Sequence, residues 1–158
     1  MYEKRLMGVV IPMITPMNED STVDDASLKN FVNFLVDAGS NALYPNGTNG
    51  EDLLMSQAER EHIAEVIAET NNHRLPLFVQ CGSMTTAETR GHVFHSLNAG
   101  ADGVGIMSPA FFPMDDASLY QYYHDAIEGL PADFPVYVYN IPSCTTSDVK
   151  PALLNKLM

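Results

Sequence analysis

Apolar residues along the chain fall into two kinds of run, and the two alternate. Short continuous runs at residues 8–14, 42–44, 77–81, 102–107 and 134–139 read as buried strands. Between them lie longer segments whose apolar positions recur every three or four residues. Leu28, Phe31, Val32, Phe34, Leu35 and Ala38 mark a first helix, capped by Ser21 or Asp24 and ended by Gly39. Ser56 stands three residues before Glu59, a capping box that opens a second helix through Ile63, Val66 and Ile67. Thr85 or Thr86 opens a third, which runs through Val93, Phe94 and Leu97 to the neighbourhood of Gly100. A fourth is predicted over residues 118–127 and a fifth from Ser147 onward.

Strand and helix alternating at a period of roughly 30 residues predict repeated βαβ units and a parallel sheet. Two architectures compete. A doubly wound sheet carries a glycine-rich turn after its first strand, whereas here that strand runs into Ile14, Thr15 and Pro16. Neither a Gly-x-Gly-x-x-Gly turn nor a Walker lysine is present, which argues against a nucleotide-binding domain. A barrel places its chemistry in the loops after its strands, and the loops after strands two to five are the unusual segments of this chain. The prediction is therefore an α/β chain of the (β/α)8 TIM-barrel type. A complete barrel needs about 250 residues; residues 1–158 supply about four and a half βα units, close to half of one.

Composition adds exclusions. Of 158 residues, 46% are hydrophobic and 18% charged, enough apolar material for a core. Eight Lys and Arg against 20 Asp and Glu leave a net charge of −12, which argues against a nucleic-acid or anionic-membrane surface. No apolar run has the length of a membrane span or of a signal peptide, so a cytoplasmic protein is expected. Two cysteines, Cys81 and Cys144, make no disulfide scaffold and read as small buried thiols. His92 and His95 share a helix face without an evident third ligand, so no metal site is expected.

Two motifs carry chemistry. Pro45-Asn46-Gly47-Thr48-Asn49-Gly50-Glu51 follows the second strand, and Val138-Tyr139-Asn140-Ile141-Pro142 closes the fifth. Each has a plain structural alternative, a turn for Thr48 and Asn49 and core packing for Tyr139. Together with Ile14-Thr15-Pro16 and Gly100-Ala101-Asp102-Gly103, the pair resembles the dihydrodipicolinate synthase / N-acetylneuraminate lyase family, over essentially the whole chain. That resemblance implies class I aldolases and lyases on a (β/α)8 barrel, which need no cofactor. A lysine amine attacks the ketone of pyruvate, and the resulting Schiff base serves as an electron sink while a carbon–carbon bond forms or breaks. It also implies that Thr48 and Tyr139 are catalytic, as hydroxyls of a proton relay, and that Gly47, Asn49 and Gly50 bind the carboxylate of pyruvate or a related 2-oxo acid.

The chain has four lysines, Lys4, Lys29, Lys150 and Lys156, and none falls on an inward strand position. The family resemblance puts the Schiff-base lysine on a sixth strand, roughly 30 residues beyond Tyr139. The chain is thus expected to carry the relay and the carboxylate loop without the nucleophile, and to be inactive alone. Two departures favour a lyase or sugar-acid aldolase over a true synthase. Cys144 stands where a synthase has a carboxylate-holding arginine, and residues 108–113 offer no phenol where a synthase has a relay tyrosine. Phe111 and Phe112 in that loop read as loop packing or subunit contact. The rival is a non-catalytic half-barrel acting by association. Among Val9, Ile11, Leu43, Phe78, Val104, Ile106, Val136 and Val138, the inward-pointing ones would lack an opposite layer, so self-association is expected.

Overall fold

The helix starts are set by side chains that accept the first free amides. In the computed structural model, which describes residues 6–158, Asp24 caps α1 (Asp25–Asp37), accepting from the Ser27 amide at 3.0 Å. Ser21, the other candidate, instead sits in a turn at φ 67°. The Ser56–Glu59 capping box closes reciprocally at the start of α2 (Gln57–Asn71). Thr85 caps α3 (Thr86–Asn98). Asp115 caps α4 (Asp116–Ile127), which begins two residues before the expected Ser118 because the Asp115 carboxylate accepts from the Ser118 amide at 2.8 Å. Gly39 and Gly100 leave their helices at φ +83° and +91°, and the next amides, of Ser40 and Ala101, reach back to Leu35 and Ser96 carbonyls. This is the Schellman ending that favours glycine.

Five strands alternate with these helices: β1 (Val10–Pro12), β2 (Ala42–Tyr44), β3 (Phe78–Gln80), β4 (Gly103–Met107) and β5 (Val136–Tyr139). All pairings between named strands are parallel, β1 with β2, β3 with β4 and β4 with β5. A Leu43–Leu77 bridge and the bonds from the Leu43 amide to the Pro76 carbonyl (3.0 Å) and from Gln80 to Pro45 (3.1 Å) join β2 to β3. The spatial order is therefore 1-2-3-4-5, the same as the chain order. A doubly wound sheet reverses direction at a switch point; sequential order is the arrangement of a barrel wall.

The final helix corrects the sequence expectation. Residues 147–150 are not helical. A short turn, α5 (Pro142–Thr145), is followed by α6 (Pro151–Leu157), with Pro151 at its first turn. Ser147 caps nothing, because its hydroxyl accepts from the Met114 amide at 3.0 Å. Proline also disfavours helix at the residue before it, Lys150.

The sheet faces sort differently from the expected set. Leu43, Val104 and Ile106 are wholly buried in the same cluster as Leu28, Ile67 and Val93 of the helices. Ile11, Val136 and Val138 pack against that cluster too, and Val9, 59% exposed, precedes β1. Of the eight candidates only Phe78 lies on the opposite, inner face. There the pleat presents Val10, Tyr44, Tyr137 and Tyr139 over two glycines. A Cβ at position 105 would fall 1.9 Å from the Tyr44 hydroxyl, and one at 103 would fall 2.3 Å from the Phe78 ring. Phe78 is itself covered by Tyr137, edge to face at 5.4 Å. The inner wall is thus built from aromatic rings laid over glycine, not from branched aliphatic side chains. Across it, the Leu6 amide donates to the Tyr137 hydroxyl at 3.1 Å.

Candidate active site

The loop after β2 is held from three sides. Asn46 adopts a left-handed conformation (φ 58°) and is buried, its Nδ2 donating to the Arg60 carbonyl at 2.8 Å. Gly50 is buried beneath the loop, where its carbonyl accepts from Thr15 Oγ1 at 2.9 Å. A Cβ there would stand 3.1 Å from both Thr15 Oγ1 and the Met13 carbonyl, so glycine is what lets the loop lie against the end of β1. Between these anchors residues Thr48–Gly50 make a 3-10 turn. The amides of Gly50 and Glu51 bond to the carbonyls of Gly47 and Thr48, and the turn offers no internal acceptor to the amides of Thr48 and Asn49.

The third anchor is a buried polar network that the sequence reading missed. Asp52 accepts from Gln80 Nε2, Gln80 Oε1 accepts from the amides of Gly82 and Met107, and Arg60 Nη2 donates to the carbonyls of Gln80 and Gly82 at 3.1 Å each. All three side chains are buried. Burial pushes the Asp52 carboxyl up, opposed by the charge of Arg60 and the bond from Gln80. Burial likewise lowers Arg60, opposed by Asp52. A signal was present: Arg60 sits on the α2 face that also carries Ile63, Ala64 and Ile67, a charge at a core-facing position.

Tyr139 ends β5 on the inner face, edge to face with Tyr44 at 6.1 Å between ring centroids. Parallel strands put this end of β5 on the same side of the sheet as the loop after β2. Gly47, Thr48, Asn49 and Tyr139 accordingly line one cavity of 160 Å³, with Val10, Pro12 and Tyr44. Gly50 is not in its wall. Tyr44, not singled out from the sequence, is held neutral far above the ordinary tyrosine range by burial first, then by Cys81, Tyr139 and Asp52 nearby. A second cavity, of 200 Å³, shares Thr48 and is lined otherwise by Glu51, Asp52, Leu53, Leu54, Met107, Ala110 and Cys144.

The two cysteines part company. Cys81 is fully buried, its thiol pushed up to about 12 by burial, whereas Cys144 is exposed, contrary to the expectation of two buried thiols. The reason is the turn after β5, which buries its neighbour Thr145 and turns Cys144 outward. Phe111 and Phe112 are 75% and 68% exposed and touch each other edge to face at 4.8 Å, so they do not pack into the loop's interior and line neither cavity. His92 and His95 face Glu61 and Glu65 of α2. Among the described residues no cluster of three or more His, Cys, Asp or Glu could hold a metal ion, and no helix is long and apolar enough to cross a membrane. Of the lysines, Lys29 lies exposed on α1, Lys150 and Lys156 lie exposed before and on α6, and Lys4 is outside the described residues.

Comparison with known proteins agrees with this fold. The profile of the Dihydrodipicolinate synthetase family matches residues 5–158. A 4-hydroxy-tetrahydrodipicolinate synthase of Rhizobium meliloti is 35% identical over 142 residues, 90% of this chain and 48% of that protein. A prophage protein of the dihydrodipicolinic acid synthase family from E. coli K12, solved in complex with pyruvate, superposes with a TM-score of 0.89 at 28% identity, over 95% of this chain and 50% of that one. The N-acetylneuraminate lyase of Mycoplasma synoviae superposes with a TM-score of 0.82 at 27% identity, over 94% and 49%. The chain spans about half the length of the relatives it matches. With sequential parallel strands, a loop and a tyrosine meeting at their C-terminal ends, and a profile match from residue 5 to residue 158, the chain belongs to the dihydrodipicolinate synthetase family.

Proposed function

We propose that residues 1–158 form the N-terminal half of a class I aldolase-type barrel that acts on pyruvate or a related 2-oxo acid, making or breaking a carbon–carbon bond through a Schiff base. The observation that carries this reading is the shared cavity of Gly47, Thr48, Asn49 and Tyr139, drawn from strands that lie three apart in the sheet. In it the open amides of the 3-10 turn and the Asn49 side chain bind the carboxylate of pyruvate, with Gly47 allowing close approach. Gly50 contributes from below, by holding the turn against Thr15. The hydroxyls of Thr48 and Tyr139 move protons to and from the substrate.

The nucleophile lies outside this chain. The exposed positions of the described lysines, Lys29 on α1, Lys150 just before α6 and Lys156 on α6, support that clause, since an amine that attacks pyruvate must reach the inner face. The chain alone is then a pyruvate-binding half without turnover. Borohydride reduction in the presence of pyruvate, read by mass spectrometry, tests this. No adduct is expected, and a stable adduct on this chain would contradict it. Cys144 in the second cavity and the absence of a phenol at Phe111 and Phe112 favour a lyase over a synthase.

A further inference from the structure

The second cavity adjoins the first through Thr48 and has its own chemistry. Leu53, Leu54, Met107, Ala110 and Cys144 give it carbon and sulfur walls, and no Lys, Arg or His lines it. Its two charged members are both acids. Glu51 is exposed at the rim, and Asp52 is buried with its carboxylate already engaged by Gln80. A ligand carboxylate placed here would meet like charge and no cationic partner. A polyol would meet few groups to replace its lost water. A cavity of about 150 Å³ suffices for benzene, and this one measures 200 Å³.

We infer that this cavity receives the carbonyl partner of the pyruvate reaction, and that the partner is an uncharged aldehyde with an aromatic or short aliphatic tail. The inference rests on the proposed pyruvate site, which fixes where the reacting carbon lies. From there Thr48 stands between the two compartments, so the tail of a second substrate extends toward Leu53, Met107 and Cys144. Cys144 sets the selectivity, because its neutral side chain lines the cavity and offers a ligand carboxylate no cation. The turn that presents it is fixed: Thr145 is buried, and its hydroxyl shares its one proton between the Ile141 and Ser147 carbonyls, each at 3.2 Å.

Ligand-observed saturation-transfer NMR on the chain itself tests this with three probes, none of them an aldehyde, each added separately: pyruvate, benzyl alcohol and 4-hydroxybutyrate. Benzyl alcohol is expected to show transfer and 4-hydroxybutyrate several-fold less. Cys144→Arg should reverse that order, strengthening 4-hydroxybutyrate by about tenfold. Should that variant not fold, alkylation of wild-type Cys144 supplies the second measurement. Neutral iodoacetamide should outpace anionic iodoacetate there by several-fold more than it does at glutathione. Benzyl alcohol without transfer, 4-hydroxybutyrate binding as well as benzyl alcohol, or an alkylation ratio equal to that of glutathione would overturn the inference. Pyruvate without transfer would instead overturn the site reading beneath it.

Discussion

In the proposed site Tyr139 moves protons and Asn49 binds the carboxylate, so their variants should fail differently. In a barrel completed by a lysine-bearing second half, Tyr139→Phe should lower kcat by about 10²–10⁴-fold with little change in KM. Asn49→Ala should weaken pyruvate binding modestly, because the backbone amides of the turn remain; steady-state kinetics separates the two. His92 gives a prediction about pH. It is 5% exposed, its Nδ1 lies 4.0 Å from Glu61, and Arg60, Glu88 and His95 also act on it. Burial lowers its pKa to about 4, against about 6.5 unfolded. Above pH 6.5 the ring is neutral in both states. Between there and pH 4 the unfolded chain takes up a proton that the folded chain refuses. Stability is therefore lost as pH falls through that window, by up to roughly 3 kcal/mol. Urea melts at pH 7.5 and 5 should show a smaller difference in His92→Gln than in wild type. The residues named from sequence were those with local signatures, Thr48 and Tyr139 at strand ends. Asp52, Gln80 and Tyr44 escaped because their roles arise only when a loop and two strands meet, whereas Arg60 carried a signal, a charge on the core-facing side of α2.

The elements were legible where a single side chain decides them. The Ser56–Glu59 box, the Thr85 cap and the glycine endings of α1 and α3 follow from local geometry. Where a residue was claimed by a distant partner, local reading failed. Ser147 bonds to the Met114 amide, 33 residues away, and the expected helix begins only at Pro151. Strand faces were harder still. The runs around β1, β2 and β5 carry apolar or aromatic residues on both sides, so alternation there could not distinguish the helix-covered face from the inner one. The contrast between Val104 and Ile106 outside and Gly103 and Gly105 inside is what settles β4. That contrast predicts a coupling. Gly105→Ala should destabilise the chain by about 1–3 kcal/mol, because the new methyl meets the rigid end of the Tyr44 ring. Tyr44→Phe removes the closest atom and should recover part of that loss in the double variant. Additive losses in chemical denaturation would mean that the ring and the glycine do not share that space.

For the molecule as a whole, sequential strand order 1-2-3-4-5 with helices on one side is the wall of a barrel, and it leaves β1 and β5 without second neighbours among the described residues. Alternation of strand and helix made this architecture legible, whereas the composition of the inner face was not. The inner face presents tyrosine rings, with Tyr137 36% exposed, while Leu43, Val104 and Ile106 are buried under the helices. Self-association should therefore proceed through the strand edges and the exposed Tyr137, Leu54, Phe111 and Phe112 more than through a bare aliphatic layer. Light scattering should report a dimer or larger species; a monomer at high concentration would contradict this. The central claim is that the turn after β2 and the end of β5 make one pyruvate site. Its most direct test is a pyruvate titration followed by amide chemical shifts in the isotopically labelled chain. Saturable shifts are expected at Gly47, Thr48, Asn49 and Tyr139, with α3 and α4 silent. Shifts confined to other parts of the molecule, or none at all, would contradict it.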